Sequence, residues 1–383
     1  MFSRRRFLSV LAAFTLSSSL SAAPAADLTQ THASVRAVIA LQNEITRDLM
    51  QLDSILGTAV GFDERQGRPS LLIFVDRDSA QAAAAIRAIP AQLRGIPVTV
   101  EVTEKFRALN KGKGGGGSTS PTVDHRGKQT PPIKLGTSGG WGYDLANGYC
   151  CGGTLGSLIQ ITGSESNDGQ YILSNYHVLE ADIVNGGNGI VAATGDAVIQ
   201  PGLIDVGCKG AESQVVATLV KLSTLRADGH DNVDAAVAKV VVDGEDEMVD
   251  STGAILGIGT ISSQTRGPAL NLAVKKSGRT TGLTRSRITG LNATVRVQYD
   301  NECAGTAAFV ITFTGQLVVD NKGSKFLAGG DSGSLMVEDV DTNPRAVGLL
   351  YAGSATSGIA NPIAEVLSVI GSKLGGTATM VGQ

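Results

Sequence analysis

The chain is 383 residues long, 42% hydrophobic and 17% charged, with a formal net charge of −3. That length leaves room for two or three domains with a buried core, and a slightly acidic balance carries no basic surplus for nucleic acid. Aromatic residues make up 4% while glycine occurs 49 times, a balance that suits short strands and many turns.

The first residues read as an address. Ser3-Arg4-Arg5-Arg6-Phe7-Leu8 leads into the apolar run 8–16, and Ala23-Pro24-Ala25 offers an A-x-A cleavage site. Residues 1–25 resemble a bacterial twin-arginine export signal, and an ordinary secretory signal is the alternative. Both place the mature protein in the periplasm or outside the cell. Beyond this segment no apolar run is long enough to span a bilayer.

Residues 27–105 read as a separate small α/β unit. Val35, Val38, Leu41, Ile45, Leu49, Leu52 and Leu56 recur at three- and four-residue steps, which predicts one apolar helix face closed by Gly57. Strands are expected at 58–62, 70–75 and 97–102, with an alanine-rich helix over 80–89. No nucleophile, metal cluster or phosphate loop occurs here, so a structural or interaction role is expected. Residues 106–131, rich in Gly, Ser and Pro, form a flexible linker that invites nicking.

From residue 132 the pattern changes to short β runs divided by turns: 154–161, 171–179, 215–222, 235–242, 274–276, 287–299, 307–319, 334–337 and 346–351. Asn361-Pro362 provides an N-cap and first-turn pair for a helix through Ile363, Val366, Leu367, Ile370 and Leu374. Cys150, Cys151, Cys208 and Cys303 suit an oxidising compartment. Adjacent Cys150 and Cys151 are poor partners for each other, which leaves two disulfide connectivities open. No C-x-x-C pair or neighbouring histidine favours a metal site instead.

The chemistry centres on Gly329-Gly330-Asp331-Ser332-Gly333-Ser334. A serine in a glycine-rich turn becomes a nucleophile only with a histidine base and a carboxylate to orient that base. His177 ends the apolar run 171–179, and Asp234 borders the apolar run 235–242, where a buried carboxylate needs a partner. His230 is the rival base and Asp228 and Asp231 are rival acids, but all three lie in a polar run. From His177 to Asp234 is 57 residues and from there to Ser332 is 98. The order His, Asp, Ser is one of three unrelated orders for such a triad.

Together these motifs resemble the chymotrypsin-like serine peptidases, in particular the bacterial secreted branch of alpha-lytic protease and the streptogrisins. Cys151-Gly152-Gly153-Thr154-Leu155 resembles the strand before the histidine loop. Lys276-Ser277-Gly278-Arg279-Thr280-Thr281-Gly282 is similar to the start of the second barrel, and Gly330-Asp331-Ser332-Gly333 to the nucleophile loop. The likeness covers residues 132–376 and implies a mainly β, double-barrel peptidase with a C-terminal helix. The chain departs from the family at Val178, Lys275 and Arg285, where relatives carry cysteines, so no disulfide pairing carries over.

The resemblance implies roles residue by residue. Ser332 attacks a peptide carbonyl, His177 moves the proton, and Asp234 orients His177. The N–H groups of Gly330 and Ser332 form the oxyanion hole. Asp331 is buried against Lys276, with Arg279 second in line. Tyr351, Ala352 and Gly353 pair with substrate backbone. Phe326, six residues before Ser332, lies at the base of the primary pocket, and without an acid beside it a small or apolar side chain is expected there. No metal or organic cofactor is implied. The partner is a protein or peptide substrate, with intramolecular regulation by the N-terminal unit. The other readings are a catalytically idle peptide-binding module and a serine esterase.

Overall fold

The computed structural model describes residues 27–108, 123–146, 149–180, 190–225, 230–231, 233–243, 246–299, 309–323 and 325–383. The export segment and most of the expected linker lie outside these residues, as do Asp228 and Cys303. Among the described residues no helix is long and apolar enough to cross a membrane.

The N-terminal unit comprises α1 (Ala33–Leu49), β1 (Ile55–Asp63), β2 (Arg68–Asp76), α2 (Ala82–Ala88) and β3 (Ile96–Thr103). Helix α1 buries Val35, Val38 and Leu41, as the spacing predicts, but ends at Leu49. Leu56 and Gly57 belong to β1. The glycine meets a sheet constraint and does not stop a helix: a Cβ there would lie 2.3 Å from Thr294 O. A short strand, β4 (Phe106–Ala108), follows within the stretch expected to be linker.

The first of two large curled sheets is built from β5 (Thr137–Trp141), β6 (Gly153–Leu155), β7 (Ser157–Thr162), β8 (Gly169–Ser174), β9 (Ala197–Gln200), β10 (Gln214–Val220) and β11 (Ala236–Val240). They run in the order β7-β8-β11-β10-β9-β5-β6. β6 passes through Gly156 into β7, closing the path into a barrel. After β8 the chain makes one helical turn, α3 (Tyr176–Leu179), where the apolar run suggests a continuing strand. All four residues of α3 are buried, so a run of apolar residues at this spot does not distinguish strand from helix.

The second barrel contains β12 (Ala273–Gly278), β13 (Gly282–Tyr299), β14 (Phe309–Asp320), β15 (Leu335–Glu338), β16 (Ala346–Gly353) and β17 (Ser357–Pro362). Their order is β14-β17-β16-β15-β12-β13, and β13 pairs back to β14 to close the ring. Helix α4 (Ile363–Leu374) follows, ended by Gly375 at φ 71°, and β18 (Thr377–Met380) returns to β7 in the first barrel. The fold is mainly β, with two barrels and a C-terminal helix.

The 27–105 unit is not set apart. β1 pairs antiparallel with β13 (Gly57↔Val295, Thr58↔Thr294), so β1, β2 and β3 extend the sheet of the second barrel. One core contains Val35, Val38 and Ile73 of this unit with Val274, Ile288 and Leu317 of the barrel. Cys150 and Cys208 form a disulfide, Cα–Cα 5.5 Å, and Cys151 is also disulfide-bonded.

Gly156, at the seam of the first barrel, abuts the 329–334 loop of the second. A Cβ there would stand 1.9 Å from Gly333 O and 3.0 Å from Leu173 O. We expect Gly156→Ala to lower stability by about 1–3 kcal/mol, as overpacking does. A denaturant midpoint equal to that of the wild type would show that the seam yields freely.

Candidate active site

His177 and Asp234 meet where α3 approaches the start of β11. His177 is 3% exposed on α3. Its Nδ1 lies 2.6 Å from Asp234 Oδ2, and because a carboxylate only accepts, Nδ1 carries the proton. Asp234 Oδ1 accepts the amide of Tyr176 at 2.8 Å and that of His177 at 3.4 Å, while Oδ2 also accepts the Tyr299 hydroxyl at 2.8 Å. Asn175 Nδ2 donates to Asp234 O, and the Asn361 side chain both accepts from Asp234 N and donates to Asp234 O. The sequence suggests Asn361 as a helix cap. The structure caps α4 at Pro362 without a side-chain bond and gives the Asn361 amide to the aspartate.

Ser332 lies across Gly153 from Val178: a Cβ on Gly153 would meet Val178 Cγ2 at 2.6 Å and Ser332 O at 3.0 Å. Its Oγ donates to Tyr351 O at 3.2 Å. His177 Nε2 is buried and has no hydrogen-bond partner among the described residues. The 329–334 loop is strongly shaped. Gly330 and Gly333 have φ of +94° and +90°, a region that glycine enters freely. The carbonyls of Gly329 and Gly330 accept from Thr280 Oγ1 (2.7 Å) and Thr154 Oγ1 (2.9 Å). The amides of Asp331, Gly333 and Ser334 donate to backbone carbonyls, whereas those of Gly330 and Ser332 meet no acceptor among the described residues.

Asp331 and Lys276 are both wholly buried, with Nζ 3.4 Å from Oδ2. Asp331 Oδ1 also accepts the amides of Thr280 and Thr281, and Oδ2 accepts Thr281 Oγ1 and the amide of Ala328. Burial pushes the Lys276 ammonium below its usual range, and the Asp331 carboxylate opposes that push. Arg279 is not a second partner for Asp331. Its guanidinium forms a bidentate pair with Asp205 at 2.6 Å on both arms.

Two further expectations change. Phe326 is 1% exposed and packs into the core shared with the N-terminal unit, and the cavity it borders is lined by Arg285, Asp320 and Lys322 rather than by His177, Asp234 or Ser332. Its neighbour Leu327 covers Gly353 and Gly358, with Cδ2 2.4 Å from where a Gly358 Cβ would be. The edge of β16 is not open either. β4 lies along it antiparallel, Ala352↔Ala108 and Gly353↔Arg107, and on its other side runs parallel to β13. Phe106 anchors this strand, wholly buried and edge-on to Phe74 at 5.2 Å. His230 and Asp231 pair through their backbone with Thr312 and Phe313 of β14. Sequence reasoning misses Tyr299 and Asn361, which reach Asp234 across 65 and 127 residues, and β4, which pairs with strands further away still.

Residues 214–363, which include Asp234 and Ser332 but not His177, match the family described as the Nal1 C-terminal domain. No curated protein matches the chain. Among solved structures it is similar to Thermobifida fusca protease A (18% identity, TM-score 0.39, 66% of this chain and 99% of that one). It is also similar to a glutamic acid specific serine protease (18%, 0.36, 65% and 100%) and to Cellulomonas bogoriensis chymotrypsin (17%, 0.36, 66% and 99%). These likenesses are loose, and the site is read from its own geometry.

Glu180, directly after α3, anchors the turn that carries His177. It is 1% exposed, and Oε1 accepts the amides of Leu222 (2.9 Å) and Ser223 (3.3 Å). Burial raises its carboxyl above the ordinary 4.5, against the pull of those two amides. A carboxyl raised in the fold binds more protons folded than unfolded, so its contribution to stability falls as pH climbs from the unfolded value through the raised one. Glu180→Gln keeps an acceptor oxygen and removes the titration. Its stability relative to wild type is expected to improve from about pH 4 to about pH 7, read by chemical denaturation at both. A constant difference would mean that Glu180 does not titrate in this window.

Proposed function

We propose that the chain is an exported serine endopeptidase of the chymotrypsin-like, bacterial secreted type. The observation that carries this reading is the buried His177–Asp234 pair, with its imidazole proton on Nδ1 and its Nε2 without a partner among the described residues. In the reaction, Ser332 Oγ bonds to the scissile carbonyl carbon as its proton passes to His177 Nε2, and the carbonyl electrons move onto oxygen. The amides of Gly330 and Ser332 stabilise that oxyanion, a contribution worth about 10²–10³ in rate for each donor. Collapse expels the amine, which takes the proton from His177, and water then cleaves the acyl-enzyme by the same route. Asp234 holds the tautomer and balances the imidazolium. Lys276 and Asp331 hold the loop, so no newly cut N-terminus is needed to complete it.

The N-terminal unit regulates this site. The pairing of β4 with Ala352 and Gly353 supports that role, because an extended substrate needs the same edge. Ser332 Oγ, turned to Tyr351 O, is then at rest until the edge is cleared. Leu327, lying over Gly353 and Gly358, supports a preference for a small side chain beside the scissile bond. The twin-arginine segment and the disulfide support an exported location.

Fluorophosphonate labelling of the full-length protein tests the reading. Wild type is expected to label and Ser332→Ala to lose the label. Arg107→Pro, which removes an N–H from β4, is expected to raise peptide hydrolysis about tenfold by weakening the block. Labelling without amide turnover, while esters are cleaved, would select the esterase. No labelling even in Arg107→Pro would select an idle peptide-binding module.

A further inference from the structure

Asp234 belongs to the first barrel, yet one bond to its carboxylate comes from the second. Oδ2 is shared by His177 Nδ1 and the Tyr299 hydroxyl, at 2.6 and 2.8 Å. Tyr299 is the last residue of β13 and is 3% exposed. Its ring stands edge-on to the His177 ring (5.9 Å, 73°) and stacks on Phe309 (5.3 Å, 10°). The phenol is therefore held in place before any substrate arrives. The neighbouring phenol of Tyr351 does not do the same work: its hydroxyl has no hydrogen-bond partner among the described residues.

We propose that Tyr299 is a positioning residue of the hydrolytic site: its hydroxyl, by sharing Oδ2 with the imidazole, fixes Asp234 across the barrel interface and limits how strongly Asp234 holds a proton on His177. The proposal rests on the His177–Asp234–Ser332 reading above. Two donors on one carboxylate oxygen divide its charge density, so the imidazolium is stabilised less than it would be by an Asp234 that it had to itself. A hydroxyl from the second barrel also stops the carboxylate from rotating away from Nδ1, which an isolated first barrel could not ensure.

The titratable groups that face this pair are Tyr176 from α3, Tyr299 from β13 and Tyr351 from β16, all buried in one cluster. Among the described residues no Lys, Arg or second carboxylate forms an ion pair with Asp234 or His177. Burial, and secondarily the Asp234 charge, push the Tyr351 phenol well above its ordinary range, so it stays neutral across working pH.

The experiment uses the full-length protein with Tyr299→Phe, which deletes the donor and keeps the ring. The acidic limb of kcat/KM is expected to rise by about half a pH unit, and kcat/KM at neutral pH to fall about tenfold with KM little changed. The low-field proton resonance of His177 Nδ1–H should shift at the same time. Fluorotyrosine at 299, a stronger donor, should move the limb the other way, and it decides the matter if Tyr299→Phe does not fold. Phe309→Leu loosens the stack without touching Asp234 and should leave the limb in place. A Tyr299→Phe protein with the wild-type limb and resonance overturns the proposal, even if its stability drops. Failure to label with fluorophosphonate even in Arg107→Pro, while the resonance still shifts, overturns the hydrolytic reading itself, leaving only the hydrogen bond.

Discussion

A carboxylate with no exposure to water must be surrounded by donors, and Asp234 is the point on which this molecule meets that demand. Its acceptors take two amides of α3, the His177 ring and the Tyr299 hydroxyl, and its backbone is gripped by Asn175 and Asn361. Those groups come from both barrels. Satisfying one buried charge therefore fixes the histidine turn, the end of β13 and the entry to α4 relative to one another. The candidate site is as much the seam of the fold as a feature placed upon it.

A second buried acid organises the other half. Asp331 collects three amides, a hydroxyl and the Lys276 ammonium. A buried pair of this kind is poor evidence of added stability, since desolvation opposes the attraction. Its effect is directional. With Asp331 held and the carbonyls of Gly329 and Gly330 taken by threonines, the loop keeps two amides aimed away from its own acceptors.

The sequence announces groups whose local surroundings betray them. Asp234 stands at the edge of an apolar run, Lys276 in the Lys-Ser-Gly-Arg-Thr-Thr-Gly stretch, and Ser332 among glycines. What is hidden is pairing between remote segments. Gly57 looks like a helix stop because its real constraint, the backbone at Thr294, lies in another part of the chain. Asn361 looks like a cap because it precedes a proline, and counting back from a serine to Phe326 does not show which cavity that side chain borders. A period of two shows that a strand is half-buried, but not that β1 joins β13 or that β4 slips beside β16. Tyr299 ends an 18-residue strand, and nothing around it distinguishes it from any other aromatic at a strand end.

The shared sheet also orders events in time. The α1 helix buries its apolar face on β1 and β2, but the core around them is completed by Val274, Ile288 and Leu317, and β1 finds its partner only at residues 291–295. During synthesis the first hundred residues must wait for a segment made much later, so contact order is high and loop closure precedes reward. The two halves of the chain are thus one cooperative unit, and the N-terminal part gains its last stability only when the barrel carrying Ser332 is assembled.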